Sequence, residues 1–189
     1  ENLPPEVQQQ VALLLANTYE ARGDQSRALE LYQSLVGDKK SLTEREMAGA
    51  YFAMGRISNR MNRYEKARES LNRCIALAER DAESKALLRS ALAEMGNSYY
   101  QDGRYNEAIR FYQHSMELEG APEGKGYWES RYRLALAHLG AGDHAAAERL
   151  MSEIAEEGDP SVQQKAQMKI GLMGLNKQLK RLPLDRKDG

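Results

Sequence analysis

Residues 101–113 read QDGRYNEAIRFYQ, a glycine turn set among tyrosines, acids, an amide and arginines. Such a cluster is either a small reactive site, which occurs once in a chain, or a packing code, which repeats. It repeats. ARGDQSRALELY from residue 21, RMNRYEKARESL from residue 60, QDGRYNEAIRFY from residue 101 and GAGDHAAAERLM from residue 140 align without a gap. The turn residues are Gly23, Asn62, Gly103 and Gly142, and five positions after each stands an alanine: Ala28, Ala67, Ala108 and Ala147. Seven positions before each turn stand Ala16, Gly55, Gly96 and Ala135, preceded by Leu15, Met54, Met95 and Leu134.

A Gly or Asn at the turn permits the left-handed backbone that ends one helix and lets the next fold back on it. Small residues in both helices let their backbones approach, while the neighbouring Leu, Met and Tyr fill the adjoining space. Each unit is therefore a helical hairpin. The turns at Gly23, Asn62, Gly103 and Gly142 recur at intervals of 39, 41 and 39 residues. One hairpin cannot bury its apolar faces alone, so neighbours stack into a solenoid.

Composition agrees with an all-helical chain. Of 189 residues, 29% are charged, with two Phe and five Pro and few β-branched residues. No apolar window is long enough to span a bilayer, so direct membrane insertion is not expected. The 27 basic and 28 acidic side chains nearly cancel, which argues against a nucleic-acid partner. A single cysteine, Cys74, excludes an internal disulfide. The opening ENLPPEVQQQ has neither an initiator Met nor an apolar leader, which suggests a processed form or an excised piece.

Residues 91–120, ALAEMGNSYYQDGRYNEAIRFYQHSMELEG, resemble the signature of the tetratricopeptide repeat family through Met95-Gly96, Tyr99, Gly103, Tyr105, Ala108 and Tyr112. The first repeat keeps Leu15-Ala16, Tyr19, Gly23, Ala28 and Tyr32; the second puts Ser58 and Leu71, and the fourth His138 and Met151, where aromatics are usual. The resemblance implies an all-α, right-handed superhelical solenoid of antiparallel hairpins, one array over residues 1–181. Its repeats run over approximately 7–40, 42–80, 83–120 and 126–157, followed by a capping helix 160–181 and a frayed tail 182–189. The period exceeds the family's usual 34 residues, and the surplus is expected to lengthen the first helix of each hairpin. Ser41 with Glu44, or Thr43 with Glu46, forms a capping box ahead of a helix over about 42–61. Asp159 as N-cap and Pro160 at the first helical position open the last helix, whose Gln and Lys content suits a cap wet on its outer side.

Reactive chemistry is not legible. EGAPEGKGYW, residues 119–128, is one residue short of a phosphate loop and has Gly126 where a hydroxyl is needed, so it reads as an inter-repeat loop carrying an exposed Trp128. His114, His138 and His144 lack metal-ligand spacing, and no metal or cofactor is expected. Cys74 falls at a small-residue packing position, and Glu153, Glu156, Glu157 and Asp159 read as a solvated helix end.

In the family's geometry the outward faces of the first helices line a concave groove. The positions that line it here are Leu13, Asn17 and Glu20; Phe52, Arg56, Asn59 and Arg60; Glu94, Asn97, Tyr100 and Gln101; and Glu129, Tyr132 and Arg133. Asn17, Phe52, Arg56, Arg60, Asn97, Tyr100, Tyr132 and Arg133 are the residues expected to grip a protein or peptide segment, since Arg and Tyr supply contact area and Asn bonds an extended backbone. The competing reading of this face is a solvated helix surface. A family clamp for chaperone C-termini needs Lys, Asn, Asn, Lys and Arg, and the matching Leu13, Asn17, Ala53, Ser90 and Glu94 fit only at Asn17. The resemblance implies a non-catalytic binding scaffold, periplasmic or otherwise associated with a bacterial envelope assembly. The alternative is a ligand- or peptide-sensing domain of a cytoplasmic regulator.

Overall fold

The computed structural model describes residues 4–37, 42–118 and 124–179. Among them are nine α-helices and no strand: α1 (Pro5–Ala21), α2 (Gln25–Gly37), α3 (Glu44–Arg60), α4 (Tyr64–Ala78), α5 (Lys85–Gln101), α6 (Tyr105–Glu117), α7 (Gly124–Gly140), α8 (His144–Glu157) and α9 (Pro160–Leu179), with a short 3₁₀ turn (Ala82–Ser84) before α5. The first helices of the four hairpins each have 17 residues, against 13 to 15 in the second helices. The surplus of the long period thus lies partly in the first helices, as predicted.

The four turns are the four predicted residues. Gly23, Asn62, Gly103 and Gly142 have φ of 82°, 58°, 76° and 84°. The N–H after each reaches back five residues, as Asp24 does to the Tyr19 carbonyl at 2.9 Å and Arg104 to the Tyr99 carbonyl at 2.9 Å. The turn residue itself reaches back three, as Gly23 does to Glu20. These paired bonds satisfy carbonyls at the helix end that would otherwise lack partners.

The chain forms two compact units, Glu1–Gly120 and Ala121–Gly189, where the resemblance implied a single array over 1–181. In the first unit, one core gathers Ala16, Ala28, Tyr32, Ala53 and Ile57, and a second gathers Ala48, Leu71, Cys74, Ala91 and Met95. In the second unit α7, α8 and α9 bury Leu134, Ala135, Ala147, Met151, Ile154, Val162 and Ala166. The small-residue code has a direct steric cause. A Cβ at Gly55 would stand 2.5 Å from Leu71 Cγ, and one at Gly96 would stand 2.6 Å from Tyr112 Cε1.

Two expectations need correction. Met54, Met95 and Leu134 are buried as foreseen, but Leu15 is 42% exposed, because it lies on a side of α1 that no described helix covers. EGAPEGKGYW is not a loop throughout: α7 begins at Gly124, and Trp128 is half-buried, its ring edge-on to Tyr127 at 5.2 Å. Residues 119–123 lie outside the described residues.

The helix starts follow the residues named for them. Thr43 closes a capping box with Glu46, while Ser41 is outside the described residues. Asp159 accepts from the N–H of Ser161 at 3.0 Å ahead of Pro160. The tail 182–189 is likewise outside the described residues.

Candidate protein-binding surface

On the first unit, α1, α3 and α5 contribute the candidate side chains, and the structure assigns several of them partners within the chain. Tyr32 on α2 donates its hydroxyl to Asn17 Oδ1 at 2.6 Å. Tyr112 on α6 does the same to Asn97 Oδ1 at 2.8 Å. Both pairs are 15 residues apart, and both are replaced together elsewhere: Arg56 with Leu71 in the second hairpin, Leu136 with Met151 in the fourth. The rule is physical. A buried tyrosine hydroxyl needs an acceptor, so the asparagine appears where the tyrosine does. Burial, reinforced by the nearby Glu20 carboxylate, pushes the Tyr32 hydroxyl up to about 12, so it stays protonated and donating.

Glu20 holds the two arginines. Its Oε1 accepts from Arg56 at 2.6 Å and from Arg60 at 3.3 Å. The Glu20 side chain is only 8% exposed, against 38% for Arg56 and 48% for Arg60. An acid so nearly buried requires such pairing, since an isolated carboxylate there would be strongly disfavoured. Arg56 also lies over the Phe52 ring at 5.5 Å, and Phe52 packs against the second core.

A hollow of about 380 Å³ opens beside these groups, with Arg56, Asn59, Arg60, Asn97 and Gln101 among its walls. Asn59 is 6% exposed; its Nδ2 donates to the Glu94 carbonyl at 3.0 Å and to Glu94 Oε2 at 3.2 Å. Its Oδ1, and the Nε of Arg56, are buried without a hydrogen-bond partner among the described residues. Tyr100 meets Tyr105 edge-on at 5.5 Å. Neither Glu20 nor Asn59 was among the residues expected to bind. The legible signal for Glu20 was one acid at the groove position of α1 facing two arginines at groove positions of α3.

Tyr132 and Arg133 stand on α7, in the second unit. Glu129 accepts from Lys165 of α9 at 2.9 Å and lies 3.8 Å from Arg133, while the Lys165 ammonium sits over the Tyr132 ring at 6.0 Å. The remaining candidates for chemistry take packing or surface places. Cys74 is fully buried, which pushes its thiol up to about 12. His138 faces Asp143 at 3.2 Å, and no group of three potential metal ligands occurs among the described residues. Glu153 pairs with Arg131, while Glu156 and Glu157 are exposed.

Comparison with known sequences decides the family. Two profiles of the tetratricopeptide repeat match, one over residues 12–46 and the other over 46–119 and 87–156. The chain belongs to the tetratricopeptide repeat family. A relative, tetratricopeptide repeat protein 29 of Trypanosoma brucei brucei (strain 927/4 GUTat10.1), is 31% identical over 100 residues, which is 52% of this chain and 20% of that protein. The match thus spans about a fifth of the relative's length.

Solved structures share the fold at low identity. BtubC (BKLC) from P. vanneervenii superposes with a TM-score of 0.71 at 18% identity, covering 81% of this chain and 64% of that one. A Podosopora anserina chain ascribed to kinesin light chain, with nearly identical TPR-like repeats, gives 0.71 at 17%, covering 89% and 86%. MamA gives 0.64 at 22%, covering 78% and 77%. The tetratricopeptide repeats support a scaffold for protein–protein interaction, and no described helix is long and apolar enough to cross a membrane.

Proposed function

We propose that the scaffold is non-catalytic and holds a segment of a partner protein on the α1–α3–α5 face of its first unit, and that Tyr132 and Arg133 form a separate contact surface on the second unit. One observation carries the reading: the hollow beside Arg56 is walled by Arg56, Asn59, Arg60, Asn97 and Gln101, a set of guanidinium and amide side chains on neighbouring first helices. Amide and guanidinium groups of this kind hydrogen-bond the carbonyls and N–H groups of an extended peptide backbone. Asn17, Asn97 and the arginines are already oriented by Tyr32, Tyr112 and Glu20, which reduces the ordering cost of binding.

Arg56 is a poor choice for the test because its loss would strand the nearly buried Glu20. Arg60 is more exposed and bonded at the longer distance. Once a partner is isolated by pulldown, calorimetry compares Arg60→Ala with Tyr100→Ala against the outer-face change Arg110→Ala. The double change is expected to cost about 1–3 kcal/mol per anchor and the control almost nothing. Equal affinities would remove the site from this face. On the family resemblance alone, we extend the proposal to a larger bacterial envelope assembly, tested by a leader segment in the parent reading frame.

A further inference from the structure

The second hairpin departs from the repeat code at one connected place. In the third hairpin Tyr99 and Phe111 stack at 5.2 Å, and the guanidinium groups of Arg68 and Arg104 each lie 4.8 Å from the Tyr99 ring. The same two positions hold Tyr19 with Leu31 in the first hairpin and His138 with Leu150 in the fourth. In the second they hold Ser58 and Ser70. Both serines are buried, at 4% and 9% exposure, and the Ser70 hydroxyl turns back to the Lys66 carbonyl at 3.0 Å. Packed interiors leave little empty space, but two serines cannot fill what a ring and a large partner fill elsewhere. A hollow of about 420 Å³ stands there, floored by Leu29, Tyr51 and Met54, with both serines in its wall.

The charges around it are exchanged as well. Arg104 pairs with Glu107 in the third hairpin, and Arg27 pairs with Asp24 at the same two positions in the first. Arg27 also lies over the Tyr19 ring at 5.5 Å. In the second hairpin these positions are Arg63 and Lys66, two cations, both exposed and both on the rim of the hollow. Neither is ion-paired or set over a ring among the described residues. A third cation of the rim, Arg73, lies over the Tyr51 ring at 5.5 Å, and Glu69 is the one acid among the described lining residues.

We propose that this hollow, formed by α2, α3 and α4 of the first unit, binds a segment of another protein that inserts an aromatic ring flanked by carboxylates. The ring takes the space left by Ser58 and Ser70 and lies under Arg63, as the Tyr99 ring lies under Arg104. The carboxylates do for Arg63 and Lys66 what Glu107 does for Arg104. Residues 1–3, 38–41, 119–123 and 180–189 contain no aromatic side chain, so the parts of this sequence outside the described residues do not supply the ring. The surface shares no residue with the hollow beside Arg56 and stands independently of it.

The probe is a capped peptide of one phenylalanine between two pairs of glutamates, titrated into the isotope-labelled 189-residue chain and followed by backbone amide shifts. Saturable shifts are expected at Ser58, Arg63 and Ser70. Leucine in place of the phenylalanine is expected to weaken binding about two- to fivefold, and lysines in place of the glutamates to abolish it. Ser58→Tyr with Ser70→Phe rebuilds the ring pair of the third hairpin; it is expected to raise the thermal midpoint and to lose the shifts. Lys66→Glu restores the charge pattern of the third hairpin at an exposed position and is expected to weaken binding about three- to tenfold. It decides the matter if circular dichroism shows the double change unfolded. A parent chain without saturable shifts overturns the proposal. So does a folded double variant that still binds, a Lys66→Glu chain of undiminished affinity, or equal binding of the lysine peptide. Shifts confined to Arg60 and Tyr100 overturn it too, since they put the peptide on the α1–α3–α5 face.

Discussion

Replacing Gly96 by alanine sets two effects of known sign against each other. Alanine gains about 1 kcal/mol over glycine in a helix interior. Against this, the new Cβ would stand 2.6, 2.7 and 3.1 Å from three ring carbons of Tyr112, where carbon atoms prefer about 3.5–4.0 Å. The ring must retreat by roughly 1 Å, and it is poorly placed to do so: Tyr112 is 1% exposed and its hydroxyl is tied to Asn97 at 2.8 Å. Overpacking of this kind costs about 1–3 kcal/mol, so after the helix gain of about 1 kcal/mol the net loss is about 0–2 kcal/mol. For a chain of this length that lowers the thermal midpoint by up to roughly 8 °C. Gly174→Ala is the matched control, since nothing lies within 4 Å of its Cβ position. It keeps the helix gain and is expected to raise the midpoint by roughly 2–4 °C. Thermal melts followed by circular dichroism, supported by urea titration, read both. If Gly96→Ala gains as much stability as Gly174→Ala, the small-residue positions are not set by the opposing side chain and the steric account fails.

Further outcomes follow from single contacts. Tyr112→Phe should cost about 1 kcal/mol by leaving Asn97 without its donor; adding Asn97→Leu, which restores the apolar chemistry of the fourth hairpin, should recover part of it, and strict additivity in the double-mutant cycle would refute the pairing rule. Asn62, at φ 58°, should tolerate glycine, whereas Asn62→Ala should lose about 1 kcal/mol by urea titration because the left-handed backbone opposes a Cβ. The Cys74 thiol should be inert to thiol reagents at neutral pH in the native chain and react after denaturation. Its pKa is raised in the folded state, so its stabilising contribution is whole below the ordinary thiol value and is lost as pH rises towards about 12; native labelling at the rate of a free thiol would contradict its burial. Asp81 is shifted the other way, its carboxylate held below the usual range by the Ser84 hydroxyl, Arg45 and the Glu83 N–H. That contribution is present above the ordinary carboxylate value and fades as pH falls through the folded value, so Asp81→Asn should flatten the acid limb of the stability profile.

Local physics made the hairpins legible. A left-handed turn selects Gly or Asn at Gly23, Asn62, Gly103 and Gly142 whatever the surroundings, and close helix approach selects Ala or Gly at fixed offsets, so turns, helix count and register could be read from spacing alone. The N-caps Thr43 and Asp159 were readable for the same reason: each bonds a backbone group two or three residues away. What a side chain does with its polar end was decided by tertiary structure. Asn17 and Asn97 were legible as groove positions, but that each serves a tyrosine 15 residues on depends on the two helices of one hairpin meeting. Glu20 joins Arg56 and Arg60, 36 and 40 residues away, only because neighbouring first helices lie side by side. The apolar stripes are the sharpest case. Periodicity reports that Leu15 or Leu172 faces some neighbour, but whether a neighbour stands there is a property of the assembled helices, and at α1 and α9 the described chain supplies none.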